Sequence, residues 1–302
     1  MVQLRRNYPS RGGLQTTFRV TLFIILMLIL AVAGFIYYKK GNLNFFGQQP
    51  LPTAIDKTFD LGRTYLPTCN GTLVHHKYYS LCYIEKDEES SWVAYTLNRE
   101  NLNVPNIPRN GRFSPDPDIR THSAVHSDYT GSGYTRGHLV PVGDMSFDST
   151  AMRETFYMSN ISPQLRGFNN GIWKELEENV RDWAYSHHGL YIISGPVLTK
   201  GLSKHIGKNG VAVPSYFYKV LLEYNEKGKA GIGFLIPHEI STLPLQSYMV
   251  PIDSIEQITG IDFFRDFLSE KEQASLESVI DKSSWKVSDA RYRLRVSKWN
   301  YE

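Results

Sequence analysis

The sequence predicts an α+β domain with a mixed or antiparallel sheet, preceded by one N-terminal transmembrane helix. Residues 20–38, VTLFIILMLILAVAGFIYY, carry no charge, and nineteen such residues are about the length that crosses a hydrocarbon core as a helix. Beyond residue 60, strand-like and helix-like segments are interspersed without the regular spacing of βαβ units, which favours α+β over α/β. The chain has 302 residues, enough to bury a sizeable core.

The N-terminal region is divided into a basic tail (1–17), a transmembrane anchor (18–38) and a linker (39–60), followed by the domain (61–302). Four arginines precede the apolar run and two lysines follow it, which places the N-terminus in the cytoplasm and the domain across the membrane. The expected location is the periplasm or cell surface in a bacterium, or the mitochondrial inner membrane in a eukaryote. A cleaved signal peptide is the alternative, although the run is longer than a usual signal core and no small-x-small site follows it closely.

Charge is distributed unevenly along the chain. Residues 1–40 hold six Lys or Arg and no acidic residue, so of the 33 basic and 30 acidic residues in all, residues 41–302 hold 27 and 30. The net charge of this larger part is therefore −3, which argues neither for nor against a nucleic-acid substrate. Any anion site must be local.

The chain has two cysteines, Cys69 and Cys82, separated by twelve residues across a predicted strand pair. In an oxidising compartment a disulfide between them is one option, which the sequence alone does not decide. Two buried thiols are the alternative.

The first half of the domain is predicted to contain short strands around one long loop. HKYYSLCYIE and SSWVAYTLN are aromatic and β-branched runs with approximate alternation, and they are interpreted as a strand pair. Residues 109–134 are rich in Gly, Pro, Ser and Asp, and a loop of this length in a compact domain is usually functional. A strand into RGHLVP, a turn at 142–148, a short helix at 150–155 and a strand at FYMSNIS follow.

The second half begins with a helix from Asn169. Ile172, Leu176, Val180 and Trp183 or Ala184 fall on one face of this helix, which is expected to end near residues 187–189. Three further strands are predicted at LYIISGPVL, VPSYFYKVLLEY and AGIGFLIPH. Helices are predicted at SIEQITGIDFF and SEKEQASLESVI, where Ser269 and Glu272 form a capping box.

Three polar features within about forty residues point to hydrolysis of a phosphodiester. This reaction needs a base, a cation and hydrogen-bond donors that hold the phosphate. The three features are Arg136-Gly137-His138, residues 160–164 and the start of the helix at Asn169. His138 would be the base, and Asn169 would bind Mg²⁺ through its amide oxygen. Glu177 lies two turns along the helix and about 80° round it, near enough to hold metal-bound water. Arg181, four residues further, would orient that carboxylate.

Each of these residues has a plainer interpretation when it is taken alone. A histidine beside apolar residues is most often structural, and an asparagine that starts a helix is usually a cap. A glutamate with an arginine four residues on is usually a solvated pair. Their order and spacing favour the catalytic interpretation.

The order of four sequence blocks resembles that of the DNA/RNA non-specific endonucleases, the ββα-metal (His-Me finger) nucleases that include endonuclease G. The resemblance covers roughly residues 61–270 and implies a ββα-metal fold and metal-dependent, sequence-non-specific hydrolysis of DNA or RNA. The four blocks are TRGHLVPVGDM, FYMSNISPQLRGFNNGIWKELE, YIISGPVL and VAVPSYFYKVLLE.

The resemblance implies roles for individual residues. The Arg-Gly-His of the family falls on Arg136, Gly137 and His138, with His138 as the general base that activates water. The metal-binding Asn falls on Asn169, four residues before Trp173. The glutamate that holds metal-bound water falls on Glu177.

Three further positions follow from the same resemblance. The Asn of the SNxxPQ block falls on Asn160 and is expected to act as a scaffold. The upstream arginine that contacts phosphate most nearly matches Arg112. The family usually has Asp before Arg-Gly-His, whereas this chain has Thr135, which leaves the tuning of Arg136 and His138 open. Gly137 is expected to allow the backbone to approach a metal or phosphate.

The expected cofactor is Mg²⁺, with Mn²⁺ as a substitute, and the expected partners are the phosphate backbone of DNA or RNA and the membrane. Homodimer formation is a further option. The alternatives are a non-catalytic nucleic-acid-binding module and a phosphodiesterase acting on small or lipid-borne diesters. A transition-metal site at His75-His76 or His187-His188 is disfavoured, because adjacent strand residues point to opposite faces.

Overall fold

The computed structural model describes residues 65–199, 202–225 and 228–302. The predicted tail, anchor and linker lie outside these residues. Within the described ranges, no helix combines the length and apolar character needed to span a bilayer.

The domain is built on one seven-stranded sheet in which every pairing is antiparallel. The sequence had predicted a sheet that is either mixed or antiparallel. The strand order is β1-β2-β3-β6-β9-β10-β11, and two smaller sheets pair β4 with β5 and β7 with β8. The strands are β1 (Thr72–His75), β2 (Ser80–Ile84), β3 (Glu89–Asn98), β4 (Thr135–His138), β5 (Ile161–Gln164), β6 (Gly189–Pro196), β7 (His205–Ile206), β8 (Val211–Ala212), β9 (Tyr216–Asn225), β10 (Gly228–Pro237) and β11 (Met249–Val250).

Seven α-helical segments of the described residues accompany these strands. They are α1 (Arg99–Leu102), α2 (Ser149–Glu154), α3 (Arg166–Phe168), α4 (Lys174–Ser186), α5 (Ile252–Thr259), α6 (Glu270–Leu276) and α7 (Asp289–Ser297). The capping box predicted at the start of α6 is present, and the backbone N–H of Ser269 donates to Glu272 Oε2 at 2.9 Å.

The large sheet is covered on both faces. Consecutive side chains of a strand point to opposite faces, and here both sets are buried. In β6, Ile192 belongs to the hydrophobic cluster that contains the α4 residues, whereas Ile193 belongs to a second cluster. The second cluster contains Ile252 and Ile255 of α5. Helices α4 and α5 therefore pack against opposite faces of the sheet.

The ββα unit expected from the resemblance consists of β4, β5 and α4. His138 pairs with Ile161 at one end of the antiparallel β4–β5 ladder. Segment α3 follows and passes through a π-helical turn (Asn169–Trp173) into α4, with a kink at Gly171. A Cβ atom on Gly171 would lie 2.4 Å from Asn300 Oδ1, so the kink also permits close packing of the C-terminal segment. The apolar face predicted for this helix is buried.

Three predicted elements have different bounds in the structure, and one of them, the helix predicted to reach Ile280, ends at Leu276. The strand predicted from residue 156 begins only at Ile161, because residues 158–160 form a 3₁₀ turn closed by the side chain of Asn160. The helix predicted to reach Phe264 ends at Thr259, because Gly260 has a φ of 72° and takes the left-handed C-cap.

Cys69 and Cys82 form a disulfide with their Cα atoms 5.6 Å apart. Cys82 lies in β2 as predicted, but Cys69 precedes β1 rather than lying in a partner strand. The disulfide fixes the start of the described chain to the large sheet. It is consistent with folding in an oxidising compartment.

The 109–134 loop is anchored by a buried carboxylate. Asp116 Oδ2 is 2.9 Å from His76 Nε2 and also accepts a hydrogen bond from Ser159 Oγ. The backbone N–H of Asp118 donates to Asp116 Oδ1 at 2.9 Å. Burial alone would raise the pKa of Asp116, but His76 and these hydrogen bonds outweigh burial and lower it.

We expect Asp116→Asn to lower the free energy of unfolding at pH 7 by about 1.5–3 kcal/mol, because an amide cannot replace a buried carboxylate that accepts hydrogen bonds on both of its oxygens. Since the pKa of folded Asp116 is below its ordinary value, this stabilisation is present above about pH 4 and lost as the pH falls through the lowered pKa. Urea unfolding at pH 7, 5 and 3 should show the difference from the wild type shrinking with acidity. Asp118→Asn is the matched control, because Asp118 is exposed and lies 3.7 Å from His76. Equal effects of both substitutions would contradict this account.

Candidate active site

A cleft of about 510 Å³ lies between β4, the turn after it and the start of α4. Its lining includes five basic and two acidic residues, a net charge of +3, although residues 41–302 together carry −3. The cleft therefore concentrates positive charge locally, as an anion site requires. The charged lining residues are Arg109, Arg136, Arg166, Lys174, Arg181, Glu177 and Glu178.

His138 ends β4 and lines this cleft. Its ring packs edge-on against Phe156, with centroids 5.2 Å apart, and lies 5.6 Å from the ring of Phe113. Its Nε2 atom is buried and has no hydrogen-bond partner among the described residues. Burial, and then the charge of Arg109, lower the pKa of His138 to about 3. The imidazole is therefore neutral at physiological pH and has a nitrogen able to accept a proton.

Arg136 is held by the 109–134 loop. Its Nη2 donates to the backbone oxygen of His126 at 3.0 Å, and its guanidinium lies 5.6 Å from the ring centres of Phe113 and Tyr129. Its Nε is buried without a partner among the described residues. The long loop thus holds the guanidinium of Arg136, which lines the same cleft as His138.

Asn169 begins the π-helical turn, and its side-chain amide has a defined orientation. Its Nδ2 donates to Thr135 Oγ1 at 3.0 Å, and the Thr135 hydroxyl in turn donates to the backbone oxygen of Gln164 at 2.8 Å. Both residues line the cleft. Because the amide nitrogen is engaged, the amide oxygen is the atom of Asn169 that is suited to a hard cation.

Glu177 lies on α4 in the same cleft, above a buried set of charges. Burial raises the pKa of Glu177, and the charges of Lys219 and Arg181 oppose that rise. Lys219 is itself buried, with Nζ 3.1 Å from Ser194 Oγ and 4.8 Å from the ring centre of Trp173, and burial lowers its pKa. The two groups therefore compensate each other beneath the cleft.

Arg181 differs from its prediction. It was expected to orient the carboxylate of Glu177, but its Nη1 forms an ion pair with Asp144 Oδ1 at 2.9 Å. Tyr95 Oη also donates to Asp144, at 2.7 Å. Asp144 lies in the turn after His138 and takes the hydrogen bond of Arg181 that Glu177 was expected to receive. Arg181 therefore acts on Glu177 only through its charge.

Two predicted supporting residues lie behind the cleft. The buried side chain of Asn160 accepts from the backbone N–H of Val140 at 2.9 Å and donates to the backbone oxygens of Val140 and Thr155. It thus joins the segment after His138 to the turn before β5. A Cβ atom on Gly137 would lie 2.1 Å from the side chain of Gln164. Packing against Gln164, rather than approach to a metal or phosphate, explains this glycine.

Arg112 is not among the residues that line the cleft, and its role as the phosphate contact stays a prediction. It is exposed, and the neighbouring Phe113 instead packs against His138 and Phe156. Arg109 lines the cleft in its place and lies 5.3 Å from the ring centre of Phe156.

Comparison with known proteins agrees with this geometry. Residues 59–270 match the model of the family described as DNA/RNA non-specific endonuclease. Human mitochondrial endonuclease G is 33% identical over 204 residues, which are 63% of this chain and 69% of that protein. The chain belongs to the DNA/RNA non-specific endonuclease family.

Other relatives of this family support the assignment. Nuclease C1 of Cunninghamella echinulata var. echinulata is 33% identical over 201 residues, 62% of this chain and 80% of that protein. A solved structure titled as the EndoG/EndoGI complex is 28% identical, with a TM-score of 0.63, and covers 74% of this chain and 95% of its own. The chain is accordingly a nuclease, an enzyme of the hydrolase class.

Two residues that act on the candidate site, Lys219 and Arg109, were missed in the sequence. Lys219 interrupts the apolar run YFYKVLL, and a lysine in the middle of a predicted buried strand was the available signal. Arg109 lies in a loop where neither periodicity nor spacing distinguishes it from Arg112. Only the packing of Phe113 decides between the two arginines.

The adjacent histidine pairs do not act as joint ligands. His75 Nδ1 is 2.9 Å from Ser80 Oγ, whereas His76 faces Asp116 and Asp118. His187 Nδ1 pairs with Glu223, and its Nε2 is 3.0 Å from the backbone oxygen of Ser284. The two side chains of the first pair therefore have separate surroundings, and in the second pair His188 is exposed.

Proposed function

We propose that this chain is a metal-dependent nuclease that hydrolyses phosphodiester bonds in DNA or RNA without sequence specificity. The observation that carries the proposal is the cleft itself, where the buried Nε2 of His138 lies beside the oriented amide of Asn169 and a surplus of cations. The names of the relatives, which include endonuclease G and nuclease C1, support the same reaction class.

His138 is the general base of the proposed reaction. Its neutral imidazole takes a proton from water as the water oxygen forms a bond to phosphorus and the bond to the leaving oxygen breaks. A pKa of about 3 is low for a base, but a bound phosphate places negative charge beside the ring and raises the pKa during the reaction. Arg109 has the opposite effect until the phosphate neutralises it.

The residues of the cleft fit a hard divalent cation. Asn169 would hold it through the amide oxygen that Thr135 orients, and Glu177 would hold water bound to it. Mg²⁺ suits such a site because it retains several waters, and Mn²⁺ is the expected substitute. When bound, the cation supplies charge stabilisation at the phosphate oxygens.

Phosphate binding falls to the basic side chains of the cleft. Arg136 donates to the backbone oxygen of His126 in the 109–134 loop, and Arg109 lines the same cleft as His138. Contacts to phosphate position a nucleic acid without reading its sequence. The proposal therefore includes both DNA and RNA as substrates.

Plasmid DNA should be degraded by the purified protein in Mg²⁺ and remain intact when a chelator is present, because the proposed reaction needs a divalent cation to stabilise charge at the phosphate oxygens. Gel electrophoresis of timed digests measures this, and restoring Mg²⁺ after chelation is the control. Competition between DNA, RNA and a small phosphodiester identifies the preferred substrate. Binding of DNA without cleavage would favour the non-catalytic module, and preference for the small diester would favour the other phosphodiesterase alternative.

We further propose that the domain is anchored by residues 18–38 and lies in an oxidising compartment. The Cys69–Cys82 disulfide supports the compartment, and the mitochondrial names of several relatives are compatible with the eukaryotic version. Full-length protein should stay with the membrane pellet after alkaline carbonate washing. This wash removes proteins that are held to the membrane by charge, but it does not extract an apolar helix from the hydrocarbon core. Recovery in the wash would contradict the anchor. Homodimer formation stays a proposal, which light scattering tests.

A further inference from the structure

A second group of carboxylates lies on the opposite side of the large sheet from the cleft. Asp253 and Glu256 belong to α5, and Glu277 is the C-cap residue that directly follows α6. One carboxylate oxygen from each of the three lies within 4.8 Å of the others. Helix α5 packs on the face of the sheet that α4 does not cover, so this group is separate from the proposed active site.

The backbone holds the three carboxylates in place. Asp253 and Glu256 are three residues apart and therefore project from the same side of α5. The backbone N–H of Asp253 donates to the backbone oxygen of Glu277 at 3.1 Å, which joins the start of α5 to the end of α6. The backbone N–H of Phe263 donates to Glu256 Oε1 at 2.8 Å and fixes that side chain.

Glu277 is the member that needs explanation. It is 3% exposed, and its Oε1 is buried without a hydrogen-bond partner among the described residues. The charges that act on it are those of Glu256, Asp253 and Asp262, all negative. A buried, unpaired carboxylate next to three others must either hold a proton or share a positive charge with them.

We propose that Asp253, Glu256 and Glu277 bind a calcium ion. Oxygens that coordinate one Ca²⁺ at about 2.3–2.6 Å lie at most about 5 Å apart, which the observed spacing satisfies. Ca²⁺ accepts irregular sets of carboxylates and waters, whereas Mg²⁺ demands near-octahedral geometry. Asp253 is exposed, so water can complete the coordination sphere.

Such an ion would link two helices near the start of the described domain. The backbone N–H of Asp262 donates to Thr68 Oγ1 at 3.0 Å, and Thr68 precedes the disulfide-bonded Cys69. Oxidising compartments outside the cytosol are also where calcium sites of about 10⁻⁴–10⁻³ M affinity are typically filled. The ion would therefore stabilise the domain without taking part in the reaction.

The test is calcium binding by calorimetry, together with thermal unfolding, on metal-stripped protein. Asn169→Ala is introduced into every sample, so that the cation of the cleft does not contribute. We expect about one Ca²⁺ to bind per chain and to raise the unfolding temperature by several degrees at about 10 mM Ca²⁺. Glu277→Gln should abolish this rise and weaken binding at least about tenfold.

Two further variants make the result decisive. Asp266→Asn removes an exposed carboxylate outside the group and should bind calcium as the parent does. Asp253→Asn alters only an exposed side chain, so it should fold normally and still weaken calcium binding several-fold, which covers the case in which Glu277→Gln does not fold. A purely structural Glu277 would change stability without calcium and leave the calcium-dependent rise intact. That result, or a parent protein that binds no calcium at about 10 mM, would overturn the proposal.

Discussion

His138→Ala is expected to lower kcat for plasmid cleavage by about 10²- to 10⁴-fold, the usual contribution of a general base. No other residue among those described in the cleft offers a neutral, buried nitrogen without a hydrogen-bond partner. Binding of DNA should change little, because the basic side chains of the cleft remain. Initial rates of fluorescent-substrate cleavage and filter binding measure the two effects separately.

Loss of packing must be separated from loss of the base, because the His138 ring contacts Phe113 and Phe156. His138→Phe keeps a ring in this position and should be as inactive as His138→Ala while its unfolding temperature stays closer to that of the wild type. His205→Ala alters an exposed histidine outside the cleft and should retain full activity. Substantial cleavage by His138→Phe would remove the imidazole from the mechanism.

Asn169→Ala is expected to reduce activity by a similar factor and to raise the Mg²⁺ concentration needed for half-maximal rate. The reason is that the amide oxygen is the one direct protein ligand in the proposed site. Rates measured against Mg²⁺ concentration should show a change in metal dependence, which His138→Ala should not show. An unchanged Mg²⁺ requirement in Asn169→Ala would assign the cation to other residues.

Thr135→Val tests the orientation of that amide. Valine keeps the shape of threonine but can neither accept from Asn169 Nδ2 nor donate to the Gln164 backbone. Removing a partner that orients a metal ligand typically costs about 10- to 100-fold in affinity or activity. We therefore expect Thr135→Val to need a higher Mg²⁺ concentration for half-maximal rate while its stability stays normal. That result would show that threonine orients the metal ligand at the position where the family usually has Asp.

The sequence predicted the helix that carries Glu177 and most strands, because their apolar periodicity is strong and local. It did not predict where α5 ends, since a single Gly260 at positive φ decides this and helical periodicity continues beyond it. It also placed the start of β5 too early, because the Asn160 side chain closes a turn by hydrogen bonds to Val140, which is twenty residues away in the chain.

The candidate site shows the same division. His138 and Asn169 occur in compact motifs whose spacing is fixed by one ββα unit, so the sequence alone indicated them. Arg109 reaches the cleft from a long loop, and Lys219 lies buried in the central sheet where its charge acts on Glu177. Only tertiary packing gives the two residues these places. The partner of Arg181 was wrong for the same reason, because Asp144 approaches from another segment.

The most direct test of the central claim is Mn²⁺ binding, followed by electron paramagnetic resonance, in chains that carry Glu277→Gln to remove the proposed calcium site. If Asn169 holds the cation and His138 only moves a proton, His138→Ala should bind Mn²⁺ as tightly as its parent while cleaving DNA about 10²- to 10⁴-fold more slowly. Asn169→Ala should bind it at least about tenfold more weakly. Equal Mn²⁺ affinity in Asn169→Ala and its parent, or loss of binding in His138→Ala, would contradict the division of roles on which the proposed mechanism depends.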